Sequence, residues 1–181
     1  MPGTWQLRPL ALASGAEGNS SNQYFIYLPA LKKLRRISGA QRGDAFFGTN
    51  LSQGDVEPHP ASDFHILWMR TAAYDGEPVY VLRLAPRFDG GYDNVVFTVA
   101  QQDAAILRMT QLEEGRPTPV REILARREWL ESVGSHVLPG KMLAVDGRTG
   151  ERTQVEFLER QVTSDIPDSY FSTTHLLRRG R

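Results

Sequence analysis

The sequence predicts a mainly β protein whose strands follow one another as an antiparallel meander. Its apolar residues fall in short runs bounded by Gly, Pro, Asp and Asn, at the spacing expected of successive strands. Asp75-Gly76, a dipeptide typical of tight hairpin turns, joins two of these runs. Few segments show convincing helical periodicity. These three observations together predict one broad antiparallel sheet.

The first expected elements are strands separated by short loops. Thr4–Leu12 predicts a first strand, and Gly15–Asn22 is a polar, small-residue segment that predicts a mobile loop. Two further runs, Tyr24–Leu28 and Leu31–Ile37, predict the next strands.

Three hairpins account for most of the remaining chain. Each joins two apolar runs across turn residues. The predicted pairs are Phe64–Ala73 with Val79–Ala85, Val95–Val99 with Ile106–Leu112, and Met142–Val145 with Thr153–Leu158.

Helical structure is expected only in short pieces. Single turns are plausible at Asp44–Phe47, Ser52–Val56 and Pro167–Phe171. Residues 120–133 fit neither period cleanly, because some of their apolar positions suit a helix and others alternate as in a strand.

The strongest predicted hairpin has apolar side chains on both faces. Simple alternation places Phe64, Ile66 and Trp68 on one face, and Leu67 and Met69 on the other. A sheet with one side in water should alternate cleanly. Both faces therefore need cover, either by ordinary packing in a closed barrel or by curvature into a cavity, a missing segment, another copy or a ligand.

Composition limits the class of protein. A chain of 181 residues is long enough for one domain with a full core. Its 21 basic and 21 acidic residues cancel, so no global field favours nucleic acid, and we expect no nucleic-acid partner. The chain has no cysteine, which excludes disulfides and thiolate chemistry. No apolar stretch approaches the roughly 20 residues that span a bilayer, and the first residues lack the pattern of a secretory signal.

Motifs for catalysis are missing. The four histidines are scattered, with no two at helical metal-ligand spacing: His59, His65, His136 and His175. Asp44 and Asp55 flank a glycine-punctuated loop, where acids usually cap turns. We therefore expect neither an enzyme nor a metal or cofactor site.

Residues 23–55 carry the most specific pattern in the chain, QYFIYLPALKKLRRISGAQRGDAFFGTNLSQGD. This stretch resembles the YLP-x-L-(K/R)-R-(V/I)-R-R-I-x-G … G-D-x-F-x-G-(S/T) segment of the outer-membrane lipoprotein-sorting family, the LolA-like proteins of the bacterial envelope. Residues 166–176 resemble the closing I-P-D-x-x-F-(S/T)-x-x-x-L segment of that family. The resemblance covers about residues 20–181.

The resemblance implies a fold and a function. Members of the LolA-like family resemble a curved, incomplete and half-open antiparallel barrel whose apolar concave face binds acyl chains. The resemblance therefore implies a non-catalytic periplasmic carrier or chaperone for lipid or lipoproteins. Residues 23–181 would form this domain and residues 1–22 an N-terminal strand and loop. The YLP segment lies near the middle of the family's precursors, so we expect a C-terminal portion or a natural short form. The partly matched turn at Glu113–Arg116 favours a strand over residues 120–133.

Bulk and alternation select candidate residues for the wall of the apolar cavity. These are Phe25, Tyr27, Phe64, Ile66, Trp68, Val81 and Phe97. Phe46 and Phe47, in the glycine-flanked loop, are candidates for a gate and equally for a plug of the core.

A basic cluster sits on the second strand of the matched segment. It comprises Lys32, Lys33, Arg35 and Arg36. Contact with a lipid headgroup or a partner protein is one hypothesis, and a charged, solvated strand edge is the other.

A second function stays open beside the carrier. The chain also fits a small β-rich interaction module that pairs through its open sheet edge with an envelope transporter or with another copy of itself.

Overall fold

The computed structural model describes residues 24–28, 33–37, 43, 45, 46, 48–52, 54–56, 59–160, 167–172, 174, 175 and 177. The chain divides into two units, residues 43–162 and a unit formed by residues 1–42 with 163–181. The strand expected at Thr4–Leu12 and the loop expected at Gly15–Asn22 lie outside the described residues.

The described residues of the terminal unit include a hairpin-like pair of strands and a short 3₁₀ helix. Strand β1 (Tyr24–Leu28) pairs antiparallel with β2 (Lys33–Ile37). A 3₁₀ helix spans Asp168–Phe171, which confirms the predicted turn. Both strands are confirmed, although Leu31 and Lys32 lie outside the described residues.

The larger unit is built on a seven-stranded antiparallel sheet. Its strands are β3 (Phe64–Tyr74), β4 (Glu77–Pro86), β5 (Asn94–Ala100), β6 (Ile106–Leu112), β7 (Arg121–Leu124), β10 (Lys141–Asp146) and β11 (Arg152–Glu156). Their order across the sheet is β11-β10-β7-β6-β5-β4-β3, so among the described residues β3 and β11 are edges and the sheet is not closed. The predicted mainly β, incomplete-barrel class is confirmed.

The ambiguous segment forms two strands rather than one. After β7 the chain turns through a 3₁₀ helix at Arg127–Trp129 and enters β8 (Leu130–Val133), which pairs with β9 (His136–Pro139) in a separate sheet. The expectation of a strand over residues 120–133 is right at both ends and wrong in the middle. The mixed periodicity reflects this change of element.

The three predicted hairpins are confirmed by the register of the sheet. At the β3–β4 turn, Asp75 has φ 48° and Gly76 has φ 82°. Positive φ at both central residues is the requirement of a type I′ turn, which matches the twist of the flanking strands.

The loop before the sheet is extended where a helical turn was expected. Ala45 forms an antiparallel bridge with Ser52, and the Phe46 N–H donates to the Leu51 carbonyl at 2.7 Å. Ala45 and Phe46 are therefore not helical, contrary to the turn predicted at Asp44–Phe47, whose end residues lie outside the described part of the chain. The turn predicted at Ser52–Val56 is confirmed as a 3₁₀ helix at Gly54–Val56.

A β-bulge in β3 changes which side chains share a face. Ile66 lies opposite Leu84, whereas Trp68 lies opposite Arg83, so Leu67 is an extra residue in the strand. The insertion moves Trp68 to the face opposite Ile66. The prediction that Phe64, Ile66 and Trp68 share one face is therefore wrong, because simple alternation assumes an uninterrupted ladder.

The register assigns each paired strand residue to a face, since directly paired residues point the same way. One row of paired positions crosses all seven strands and is apolar except at its last member: Met69, Leu82, Phe97, Met109, Ile123, Ala144 and Thr153. This row, with the neighbouring Ile66, Tyr80 and Ile106, is called the apolar face. The reverse side, the polar face, carries Arg70, Arg83, Thr98, Arg108, Thr110 and Glu122.

A hydrophobic core covers one end of the polar face. Val79, Ala105 and Leu107 are buried there, and Leu130 of β8 and Val137 of β9 pack against them. Burying a side chain of this size contributes about 1.5 to 3 kcal/mol. The β8–β9 hairpin thus covers an end of the sheet that would otherwise expose apolar side chains on both sides.

A candidate apolar binding face

The apolar face is only partly covered. Among the described residues, Ile66 and Met69 are each 61% exposed, Ile106 is 47% exposed and Tyr80 is 39% exposed. Between them lie half-buried side chains, including Leu82, which occupies the middle of the row. A large contiguous apolar surface in contact with water usually marks a site for a ligand or a partner.

The loop at residues 45–56 covers the other end of this face. Phe46 and Leu51 are buried, each 6% exposed. The Asn50 side-chain amide donates to the carbonyls of Ala144 at 3.1 Å and Glu151 at 2.8 Å. The Asn50 N–H donates to Thr153 Oγ1 at 3.2 Å. These bonds fix the loop against β10 and β11.

A buried ionic network anchors the same loop to the centre of the sheet. The Asp55 carboxylate accepts from Ser52 N at 2.6 Å, Ser52 Oγ at 2.8 Å and Gln111 Nε2 at 2.6 Å, and it pairs with Arg121. Arg121 Nη1 also donates to Gln111 Oε1 at 3.1 Å. The side chains of Asp55 and Arg121 are 2% and 11% exposed. A buried pair of this kind is stable when its remaining polar atoms are also bonded. Asp55 meets that condition, whereas the Nε atom of Arg121 is buried without a partner.

An aromatic cluster borders the network. His59 stacks on Phe88 at 4.2 Å between ring centroids, and Phe64 meets the edges of Phe88 at 5.6 Å and Phe97 at 6.3 Å. The His59 Nε2 atom lies 3.0 Å from the Gly54 carbonyl oxygen. Tyr92 packs edge-on against Phe88. The cluster extends the covered end of the apolar face toward β3.

The pKa of Tyr92 is raised to about 12, first by burial and then by the nearby negative charge of Asp55, while the positive charge of Arg121 opposes the shift. The hydroxyl is therefore neutral at physiological pH. Its environment links the aromatic cluster to the ionic network.

The structure separates the candidate wall residues of the larger unit into two groups. Phe64, Ile66 and Phe97 belong to the side of the sheet that carries the apolar face, whereas Trp68 and Val81 lie on the reverse side. The sequence interpretation named Phe97 but missed its neighbours in the apolar row, Leu82 and Met109. Leu82 and Met109 become recognisable only when the cross-strand register is known.

The other candidate residues are placed less completely. Phe25 and Tyr27 belong to β1, and Lys33, Arg35 and Arg36 belong to β2. Phe46 is buried in the loop that covers the apolar face. Phe47 and Lys32 lie outside the described residues.

Gln111 and Arg121 were also missed at the level of sequence. Asp55 attracted notice beside the glycine loop and was interpreted as a capping acid. It does accept the Ser52 N–H, but its other partners come from β6 and β7, more than 50 residues away. Only the antiparallel pairing of Gln111 with Arg121 brings these side chains together.

A polar groove of about 700 Å³ lies at the far end of the larger unit. Its wall includes Tyr74, Glu77 and Arg127. Arg127 pairs with Glu77 and donates to Asp103 at 2.5 Å, and hydrogen bonding to Glu77 raises the pKa of Arg127. The lining is more polar than apolar, and it includes none of the residues that define the apolar face.

Within the part of the chain that the structure describes, no three His, Asp or Glu side chains are grouped closely enough to hold a metal ion. The helices of the same part are too short and insufficiently apolar for any of them to cross a bilayer.

The architecture places the protein in the class of LolA-like β folds. Three solved structures support this assignment. A domain proposed to act in outer membrane lipoprotein sorting, from Vibrio parahaemolyticus, superimposes with a TM-score of 0.78 at 17% identity, covering 89% of this chain and 68% of the other. A DUF1329 family protein from Desulfovibrio piger gives a TM-score of 0.77 at 22% identity, with 90% and 67% covered. A LolA superfamily protein from Nitrosomonas europaea gives 0.64 at 17% identity, with 84% and 67% covered.

A family model described as "Uncharacterized protein" matches residues 11–178, and the chain belongs to that family. A search of curated proteins finds no match. The chain is thus similar in fold to LolA-like proteins over most of its length and spans about two thirds of the length of each solved relative.

The Asp55–Arg121 pair predicts a large stability effect. Asp55→Asn removes the negative charge and leaves the Arg121 guanidinium buried without its counter-ion. We expect the free energy of unfolding to fall by about 3 kcal/mol or more, measured by urea denaturation. Glu122→Gln is the matched control, since its pair with Arg108 is more exposed, at 24% and 37%, and should cost less than about 1 kcal/mol. Equal losses of unfolding free energy in Asp55→Asn and Glu122→Gln would contradict the inference that a buried charge anchors the loop.

The Tyr92 environment predicts a loss of stability in alkali. The folded-state pKa of about 12 exceeds the ordinary value of 10.0, so the folded protein retains this proton where the unfolded chain releases it. The stabilisation is complete below pH 10 and is lost as pH rises toward 12. Tyr92→Phe should therefore weaken the pH dependence of the unfolding free energy in that window. If the unfolding free energies of wild type and Tyr92→Phe change equally with pH between 10 and 12, the raised pKa of Tyr92 is refuted.

Proposed function

We propose that this protein is a non-catalytic carrier or chaperone of the periplasm that binds lipid, or the acyl chains of lipoproteins, on the apolar face. The observation that carries the proposal is the apolar row from Met69 to Ala144, which crosses six strands and continues into exposed Ile66 and Ile106. Similarity to LolA-like folds supports the same class.

The physical basis of binding would be burial of hydrocarbon. Each methylene removed from water contributes about 0.8 kcal/mol. Ten buried methylenes therefore offer roughly 8 kcal/mol, the free energy of a micromolar complex, before the entropic cost of association is subtracted. A fatty acyl chain lying along the row needs no polar contact to bind. Release then requires a change in the cover of the face, with no covalent step.

The covered end of the apolar face suggests a direction of entry. The loop at residues 45–56 is tied down by the Asp55 network and by Asn50, so an acyl chain would enter from the open side near β3. Phe46, with the neighbouring Phe47, is the proposed gate of this loop. We place the binding domain at residues 23–181, with residues 1–22 as an N-terminal strand and loop outside it.

The remaining predicted residues take secondary roles in the proposal. Phe25 and Tyr27 of β1 are proposed to contact bound lipid on the grounds of bulk and alternation in the sequence alone. The basic cluster at residues 32–36 would contact a lipid headgroup or a partner protein, such as an envelope transporter.

Uptake of a fluorescent fatty acid by delipidated protein tests the carrier. We expect saturable binding that falls at least tenfold in Met109→Lys, because a charge placed in the apolar row must be desolvated when the chain binds. Thr110→Lys is the matched control: it follows Met109 in the same strand, points to the polar face and lies opposite Glu122, so binding should be retained.

A second variant distinguishes a loss of fatty-acid binding from a folding defect. Ile106→Lys changes a side chain that is 47% exposed, so the fold should tolerate it, and uptake should still fall. Protein that takes up no fatty acid in saturable fashion, or that binds equally well with lysine on either face, would rule the carrier out.

The sheet edge favours the alternative function, an interaction module. Strand β3 spans 11 residues, its side chains are exposed almost throughout, and it has a neighbour in the sheet on one side only among the described residues. Long apolar edges invite pairing with another chain. Residues beyond the bulge form a regular ladder with β4 and would provide the pairing segment.

Sedimentation over a range of concentrations tests this alternative. An edge-paired assembly predicts a concentration-dependent oligomer, and a proline introduced as Thr71→Pro or Ala72→Pro should dissolve it by disrupting the exposed edge. A monomer throughout the range, combined with saturable fatty-acid uptake, would eliminate self-association as the function.

A further inference from the structure

The edge strand presents four consecutive apolar residues to solvent. Ile66 and Met69 are each 61% exposed, Leu67 is 45% exposed and Trp68 is 37% exposed. These four residues are called the edge patch. A run of this kind on the surface of a soluble domain usually marks an interaction site.

The β-bulge explains why the patch faces several directions at once. Ile66 and Met69 belong to the apolar face, Trp68 points to the polar face, and Leu67 is the inserted residue. A bulge also disrupts the ladder of an edge strand and so discourages pairing with another strand at that point. The patch is therefore better suited to a fluid apolar surface than to a partner strand.

Two arginines adjoin the patch without carboxylate partners among the described residues. Arg70 lies over the Trp68 ring, 5.0 Å from guanidinium carbon to centroid. Arg83 lies opposite Trp68 in the ladder, and its Nε atom is buried with no acceptor. Most buried donors in native proteins have a partner. A phosphate group beside these two guanidinium groups would supply the missing negative charge.

Trp68 strengthens the case for a lipid surface. Tryptophan concentrates at the boundary between acyl chains and headgroups, where its apolar ring and its polar N–H are both accommodated. Arginine next to it keeps its charge at the level of the phosphates. Aliphatic side chains, an interfacial aromatic residue and unpaired cations thus converge on one edge.

We propose that the edge patch docks the protein onto an anionic phospholipid surface, with Ile66–Met69 entering the headgroup region and Arg70 and Arg83 binding lipid phosphates. This contact goes beyond the carrier function and does not depend on it. It would place the open side of the apolar face against a membrane.

Vesicle co-sedimentation tests the docking. Wild-type protein should partition onto phosphatidylcholine vesicles containing phosphatidylglycerol at least tenfold more strongly than onto phosphatidylcholine alone, and added salt should weaken binding. Arg70→Gln with Arg83→Gln should lower the partition coefficient by roughly 10- to 30-fold, since each basic residue near an anionic surface contributes about fivefold. Leu67→Ser with Trp68→Ser should lower it by a similar factor.

Matched controls lie elsewhere on the unit. Arg152→Gln removes an exposed charge from the opposite edge strand, and Leu158→Ser removes an apolar side chain that is 85% exposed. Both should bind as wild type does. The proposal is overturned if the wild-type protein does not bind vesicles, or if it binds neutral and anionic vesicles equally. It is also overturned if the control variants lose as much vesicle binding as the patch variants. A patch that instead mediates a dimer, seen as dimers in wild type and monomers in Leu67→Ser with Trp68→Ser, overturns it as well.

The carrier function and the membrane docking can be disproved independently of each other. The double arginine variant leaves the apolar face intact and should take up fluorescent fatty acid normally while losing vesicle binding. Vesicle binding without fatty-acid uptake would retain docking and remove the carrier. Uptake with no vesicle binding would do the reverse.

Discussion

Apolar side chains on both sides of one sheet are the constraint from which the rest of the larger unit follows. Each side must be kept from water, and each is covered at a different end. The β8–β9 hairpin packs on the polar face over Val79 and Leu107, while the loop at residues 45–56 closes the opposite side. Beyond the loop, toward β3, Ile66 and Met69 of the apolar face remain exposed to water, and the proposed binding of lipid rests on this exposed part of the face.

The ionic network under the loop is a costly means of attachment. Taking Asp55 and Arg121 out of water costs several kcal/mol per ion before their attraction is counted. The bonds from Ser52 and Gln111 offset part of this cost and also fix the direction in which the loop leaves the sheet. An apolar contact would hold the loop with less directional control. The network therefore holds the loop in a single position. Gating by Phe46 would require these bonds to break.

The sequence predicted the hairpins well and the faces poorly, for identifiable reasons. Asp75-Gly76 requires a local backbone conformation that few other residues adopt, so its turn was readable from two residues. The bulge at Leu67 depends on pairing with β4 and leaves no trace in the alternation of β3. Trp68 was consequently assigned to the wrong side, and the partners of Asp55 were out of reach of any local pattern. The LolA-like fold was recognised from the segment at residues 23–55, which is a matter of resemblance rather than of periodicity.

The central claim is that hydrocarbon lies along the row from Met69 to Ala144. A crystal structure of the protein with a brominated fatty acid locates the bound chain directly, because the anomalous signal marks the bromine atom. The account predicts bromine over Phe97 and Met109, on the side of the sheet away from Arg108. Bromine in the groove beside Arg127, or no ordered bromine at a saturating concentration of the fatty acid, would contradict it.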